Sequence, residues 1–224
     1  MGTCRDHFGP QIRAWSATSR MYALDLPGHG SSGLEARRPY YSRAQDLLAR
    51  QLAKTGPGRV LAVSYLGGTV AINTALRHPH LFQSLVLSGV TCDVPHAAFM
   101  AWIEGFSRLA EQNADLRAYY RTRHGVRWRS TLETVQAECR ENYEGSVWLP
   151  QARILDLKVP TIILNGALKS NESAICEALH GATQFLSART VTEAGHIAGV
   201  DQPDPFNTLV QDFWTRISEG THDV

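Results

Sequence analysis

The sequence predicts an α/β protein in which a mostly parallel sheet is flanked by helices and interrupted by a helical insertion. Three observations carry this. The stretch Arg59-Val-Leu-Ala-Val-Ser-Tyr-Leu-Gly-Gly-Thr-Val-Ala-Ile72 passes from an apolar β-type run into a Gly-Gly pair and then a helix. Further β-type runs and helical patterns alternate along the chain at the spacing of parallel crossover units. Hydrophobic residues make up 43% of the 224 residues and charged residues 19%, which suits one domain with a full sheet-and-helix core.

Composition also excludes several classes. A net charge of +1 gives no electrostatic case for nucleic acid or an anionic membrane. The cysteines, Cys4, Cys92, Cys139 and Cys176, are widely spaced with no C-x-x-C pair, a pattern of free thiols in a reducing compartment. No apolar run nears the ~18 residues of a membrane span, and the N-terminus lacks the apolar segment of a signal peptide. The expectation is a cytoplasmic protein.

Taken in order, Asp6 to Trp15 is a short helix broken near Pro10, and Met21-Tyr-Ala-Leu-Asp25 is a short strand. The strand ends in Leu26-Pro-Gly-His-Gly-Ser-Ser32, a loop rich in turn formers. Ser42 caps a helix running to Lys54, with Leu47, Leu48 and Leu52 on one face. Gly56-Pro57-Gly58 ends it and launches the strand of the central stretch. A helix then carries Val70 to Arg77 and stops near His78-Pro79, because the residue before proline avoids the helical region. Leu81 to Leu87 is the next buried strand.

From Thr91 to about Pro150 the pattern is helical. Phe99, Trp102, Ile103, Phe106, Leu109 and Ala110 follow helical spacing, and Leu132, Val135 and Cys139 mark a second helix after the basic Arg121–Arg129 segment. That basic segment suits either a solvated face or attraction of an anionic substrate. Val159 to Gly166 resumes the sheet, Ala188 to Val191 adds a last strand, and Glu193-Ala-Gly-His196 follows. The terminal helix sets Phe206, Leu209, Val210, Phe213, Trp214 and Ile217 on one face.

The string Asp25-Leu-Pro-Gly-His-Gly-Ser-Ser32 closely resembles the Asp-x-Pro-Gly-x-Gly-x-Ser loop of the α/β-hydrolase superfamily, and the central stretch resembles its Gly-x-Ser-x-Gly nucleophile elbow. Ala194-Gly-His196 resembles the family's Gly-His motif in context and in chain order. The resemblance implies an α/β-hydrolase core over 1–90 and 151–224 with a helical lid over 91–150. It also implies that the first strands of the sheet are missing. The Met21–Leu24 strand would then pair with the central strand, or a partner would cover the gap, or the true start lies upstream. An exposed sheet edge would favour a homodimer.

Acyl transfer needs a nucleophile, a base, an orienting acid and oxyanion donors. The resemblance implies His196 as the base. Aligned without a gap on Leu66-Gly67-Gly68, the elbow position holds Tyr65, with Val63 in place of the first glycine. Ser64 is the nucleophile only if the turn shifts by one residue. Tyr65, whose phenol has a pKa near 10, would instead bind or act as an acid. Where the family commonly reads Gly-x-x-Asp, this chain reads Gly166-Ala-Leu-Lys169, which leaves Asp93, favoured over Glu172, as the acid. The Leu66 N–H and the Met1-Gly2-Thr3 loop would form the oxyanion hole, and Trp102 and Phe106 would line an apolar pocket. The family implies no metal or organic cofactor, and a small apolar ester, lactone, thioester or ketone as substrate. The elbow and Lys169 imply a compromised triad, or else a non-catalytic homologue that binds a small molecule or partner.

Overall fold

The structure is a computed structural model that describes residues 3–220. The chain forms two compact units, one built on the sheet (residues 8–21, 45–92 and 149–224) and one mostly helical (the described residues up to His7, 22–44 and 93–148). No helix among the described residues is long and apolar enough to cross a membrane.

The sheet unit holds four parallel strands in the order of the chain: β1 (Gly58–Val63), β2 (Phe82–Ser88), β3 (Thr161–Gly166) and β4 (Leu186–Val191). A parallel sheet must be covered on both faces, and the strand residues sort accordingly. Ala62, Leu85, Leu87, Ile163, Leu186 and Ala188 face one apolar layer with Ile72 and Ala75 of α3 (Ser64–Arg77), Ile154 of α7 (Gln151–Leu155), and Ile175 and Leu179 of α8 (Ser170–Leu179). Val86, Ile162, Leu164 and Val191 face the other, with Trp15 of α1 (Gly9–Trp15) and Phe206, Val210 and Phe213 of α10 (Pro203–Ser218). Each fully buried valine, leucine, isoleucine or phenylalanine among them contributes about 1.5–3 kcal/mol. The Gln11 amide, buried between helices, donates to the Gly199 carbonyl at 2.8 Å and to Asn207 Oδ1 at 3.0 Å. This ties α1 to α9 (Ala198–Asp201) and α10.

The strands expected at Leu81–Leu87, Val159–Gly166 and Ala188–Val191 form, within two residues at either end, as β2, β3 and β4, and the expected terminal helix forms as α10. The predicted strand at Met21–Asp25 does not form. Met21, Tyr22 and Leu24 are exposed, and β1 ends the strand order with no further strand beside it among the described residues. A short apolar run becomes a strand only when a neighbour accepts its backbone bonds. The helix predicted from Ser42 begins earlier, as α2 (Tyr40–Thr55), because Glu138 accepts hydrogen bonds from the Tyr40 and Tyr41 N–H groups.

Those bonds belong to the helical unit, which contains α4 (His96–Gln112), α5 (Ala114–His124) and α6 (Trp128–Glu141). The Asp25–Ser32 loop belongs to this unit as well. The His124 imidazole accepts from the Gly30 N–H at 2.9 Å, Thr131 donates to the Gly28 carbonyl at 3.2 Å, and Arg127 donates to the Ser32 carbonyl at 2.6 Å. Gly28 has φ of 75°, and a Cβ there would strike Thr131. The loop is thus held by its packing on these helices.

Within this unit the His29 ring lies against His124 and the Tyr40 hydroxyl, and burial pushes its pKa down to about 3. The folded imidazole stays neutral where the unfolded chain takes up a proton. Stability therefore falls as pH drops from the unfolded value near 6.5 towards 3, by up to about 1.4 kcal/mol per pH unit. His29→Gln should flatten the fall in the urea midpoint between about pH 6 and pH 4; an unchanged slope would contradict a neutral buried His29.

Candidate active site

β1 ends at Val63 in extended conformation (φ −119°, ψ 150°), and α3 begins with Ser64 at φ 64°. Positive φ is costly for a residue with a Cβ and persists where the surroundings enforce it. The sharp strand-to-helix turn therefore falls at Ser64, not at Tyr65. Val63 is ordinary strand and needs no glycine. The glycine pair that anchored the ungapped alignment serves another purpose: a Cβ on Gly68 would lie 2.6 Å from Val90 Cγ2, so Gly68 lets α3 pack on the segment after β2. The Tyr65 side chain packs against the core, and its hydroxyl accepts from the Leu149 N–H at 3.1 Å.

His196 reaches the same edge of the sheet. The ladder pairs Val63 with Ser88, so Ser64 and Gly89 follow side by side at the carboxyl ends of β1 and β2. Gly89 has φ of 66°, and a Cβ there would lie 2.9 Å from His196 Cε1 and 3.0 Å from Nδ1. The imidazole thus rests directly on the Gly89 backbone. Its loop is held from behind, where the Gly195 N–H donates to Asp201 Oδ2 at 2.8 Å and the Leu168 N–H donates to the Ala194 carbonyl at 2.9 Å. A side chain on Gly166 would strike the Ala194 and Gly195 carbonyls, which explains glycine at the end of β3.

The carboxylate bonded to His196 is Glu172. His196 Nδ1 lies 2.7 Å from Glu172 Oε1, and the Glu172 side chain is 9% exposed. This corrects the preference for Asp93. No bulge is needed: Lys169 precedes α8 as its cap, and Glu172 occupies the first helical turn. An acid there is also favoured by the helix dipole, by about 0.3–1 kcal/mol. Lys169, at the family's usual acid position, is exposed. Glu172 Oε2 is buried and has no hydrogen-bond partner among the described residues, so the carboxylate's hydrogen bonding goes to the imidazole. A carboxylate on Nδ1 fixes the tautomer that leaves Nε2 as the basic nitrogen.

With the turn at Ser64, the N–H of the residue after it is that of Tyr65, rather than the Leu66 N–H expected from the shifted alignment. Both belong to the first turn of α3, whose N–H groups lack helical partners. Asp93, Trp102, Phe106 and Thr3 belong to the helical unit, and Met1 and Gly2 lie outside the described residues. The buried stripe of α4 is Phe99, Ile103 and Ala110; Trp102, expected to face a pocket, is 46% exposed, and Phe106 is half-buried. Among the described residues no group of three His, Cys, Asp or Glu is placed to hold a metal ion. The residue that sequence reasoning missed is Asn165, a buried polar side chain at the end of β3.

Residues 2–209 match the alpha/beta hydrolase family. The crystal structure of NosK from Streptomyces actuosus superposes with a TM-score of 0.90 at 41% identity, over 95% of this chain and 92% of that one. A candidate 2-succinyl-6-hydroxy-2,4-cyclohexadiene-1-carboxylate synthase of Bacillus subtilis (strain 168) is 24% identical over 89% of this chain and 82% of its own. A pimeloyl-[acyl-carrier protein] methyl ester esterase of Aromatoleum aromaticum is 37% identical over a shorter stretch, 44% of this chain and 41% of that one. The chain belongs to the alpha/beta hydrolase family.

Proposed function

We propose that this protein is a serine hydrolase that cleaves esters or thioesters of small, mostly apolar acyl groups, with Ser64 as nucleophile, His196 as base and Glu172 as acid. The observation that carries the reading is the 2.7 Å bond from His196 Nδ1 to Glu172 Oε1 at the sheet edge where Ser64 holds its positive φ. The methyl ester esterase among its relatives supports an ester substrate class.

In this reading Ser64 Oγ attacks the acyl carbon while His196 Nε2 takes its proton. The oxyanion that forms is met by N–H groups at the start of α3, Tyr65 first. His196 then gives the proton to the leaving alcohol or thiol, and an acyl-serine remains. Water, deprotonated by the same nitrogen, releases the acid and restores Ser64. Glu172 keeps the imidazole oriented and balances the imidazolium charge that appears twice in the cycle.

Short-chain p-nitrophenyl esters and thioesters provide the assay. Ser64→Ala and His196→Ala should each lower kcat by roughly 10⁶, and Glu172→Gln by about 10⁴, since orientation is lost but the base remains. Full activity in Ser64→Ala would sink the assignment.

Tyr65→Phe separates the two residues at the elbow. It removes the bond to the Leu149 N–H and should lower stability by about 1 kcal/mol. The Tyr65 backbone N–H remains, so kcat should fall by less than about tenfold. A loss comparable to that in Ser64→Ala would return the chemistry to the phenol.

A further inference from the structure

We propose that Asn165 is a positioning residue that sets the geometry of all three members of the site; this rests on the Ser64, His196 and Glu172 reading above. The β2–β3 ladder stops at Leu87 paired with Ile163, although β1–β2 continues to Ser88 and β3–β4 to Gly166. The two central strands therefore part at their carboxyl ends, the edge where the site stands. Asn165 fills that opening. Its side chain is fully buried, on the same face of β3 as Ile163.

A buried amide is tolerated only when its hydrogen bonds are made, and here they are. Oδ1 accepts from the Val90 N–H at 3.2 Å, and Nδ2 donates to the Val90 carbonyl at 2.9 Å and to the Glu172 carbonyl at 2.8 Å. The amide binds Val90 through both of its backbone groups, as a neighbouring strand would, and takes hold of the acid's own backbone with its remaining proton.

Each tie leads to one member of the site. Glu172 is bonded directly. Gly89, the residue before Val90, is the surface on which the His196 imidazole rests. The Val90 side chain lies against Gly68 of α3, the helix that opens with Ser64. The amide thus fixes Glu172 and the support of His196 relative to each other, and a displacement of about 1 Å between such groups costs on the order of 100-fold in rate.

The test compares wild type with Asn165→Asp, which keeps the shape and the Val90 N–H acceptor but loses both donors, and with Asn165→Leu, which loses all three bonds. Four quantities are read: kcat and KM on a p-nitrophenyl ester, the low-field proton signal of the His196–Glu172 bond, and the unfolding temperature. The expected result in both variants is a drop in kcat of about 100-fold, KM within about threefold, and a weakened or absent low-field signal well below the unfolding temperature. Lower stability with kcat within about threefold and the low-field signal intact would overturn the proposal and leave Asn165 a core residue only. Should Asn165→Leu or Asn165→Asp not fold, Asn165→Ser, small enough to fit the same space, is held to the same outcomes. If wild type hydrolyses no ester, the hydrolase reading fails on its own, while persistence of the low-field signal in the folded variants still decides against Asn165.

Discussion

The candidate site depends on one contact, the 2.7 Å bond between His196 Nδ1 and Glu172 Oε1. It joins the first turn of α8, after β3, to the loop after β4, at a carboxyl sheet edge where the chain packs closely on itself. Gly166 lets the end of β3 meet Ala194 and Gly195, and Gly89 lets the imidazole approach the backbone just after β2. Gly68 lets α3 close on Val90. A methyl group at any of these positions meets backbone or side-chain atoms within 3 Å. Ligands in open α/β sheets bind at this edge, so the glycines locate the chemistry as firmly as the charged residues do.

The carboxylate that meets His196 stands three residues beyond the family's usual position for the acid. Lys169 stands where the family commonly has aspartate, and Glu172 reaches His196 from the first turn of α8. Three further residues of backbone and one additional methylene are absorbed by starting the helix, so no loop distortion is required. The structure thus offers His196 a carboxylate partner by a different route from the family's usual one.

Much of this was legible in the sequence, and the rest failed for physical reasons. The place of His196 at the sheet edge was readable because Ala194-Gly-His196 falls between the last strand and the terminal helices, a context that survives any shift in alignment. The sheet core was readable because a buried parallel strand needs an unbroken apolar run, as in Phe82–Ser88 and Thr161–Gly166. The turn was placed one residue late because a glycine pair was taken as its mark, when Gly68 answers to Val90 across the layer. The Met21–Asp25 run has strand composition but no partner, which composition cannot report. Asn165 gave no signal beyond being a polar residue in a buried strand, since its three bonds run to residues distant in sequence as well as near.

The central claim is that Ser64 is an activated nucleophile, and covalent trapping tests it most directly. The folded protein, treated with a fluorophosphonate probe and digested, is expected to carry one adduct, on Ser64, by mass spectrometry. The adduct should disappear in His196→Ala at the same protein and probe concentrations. An adduct on Tyr65, or equal labelling of Ser64 with and without the imidazole, would contradict the account.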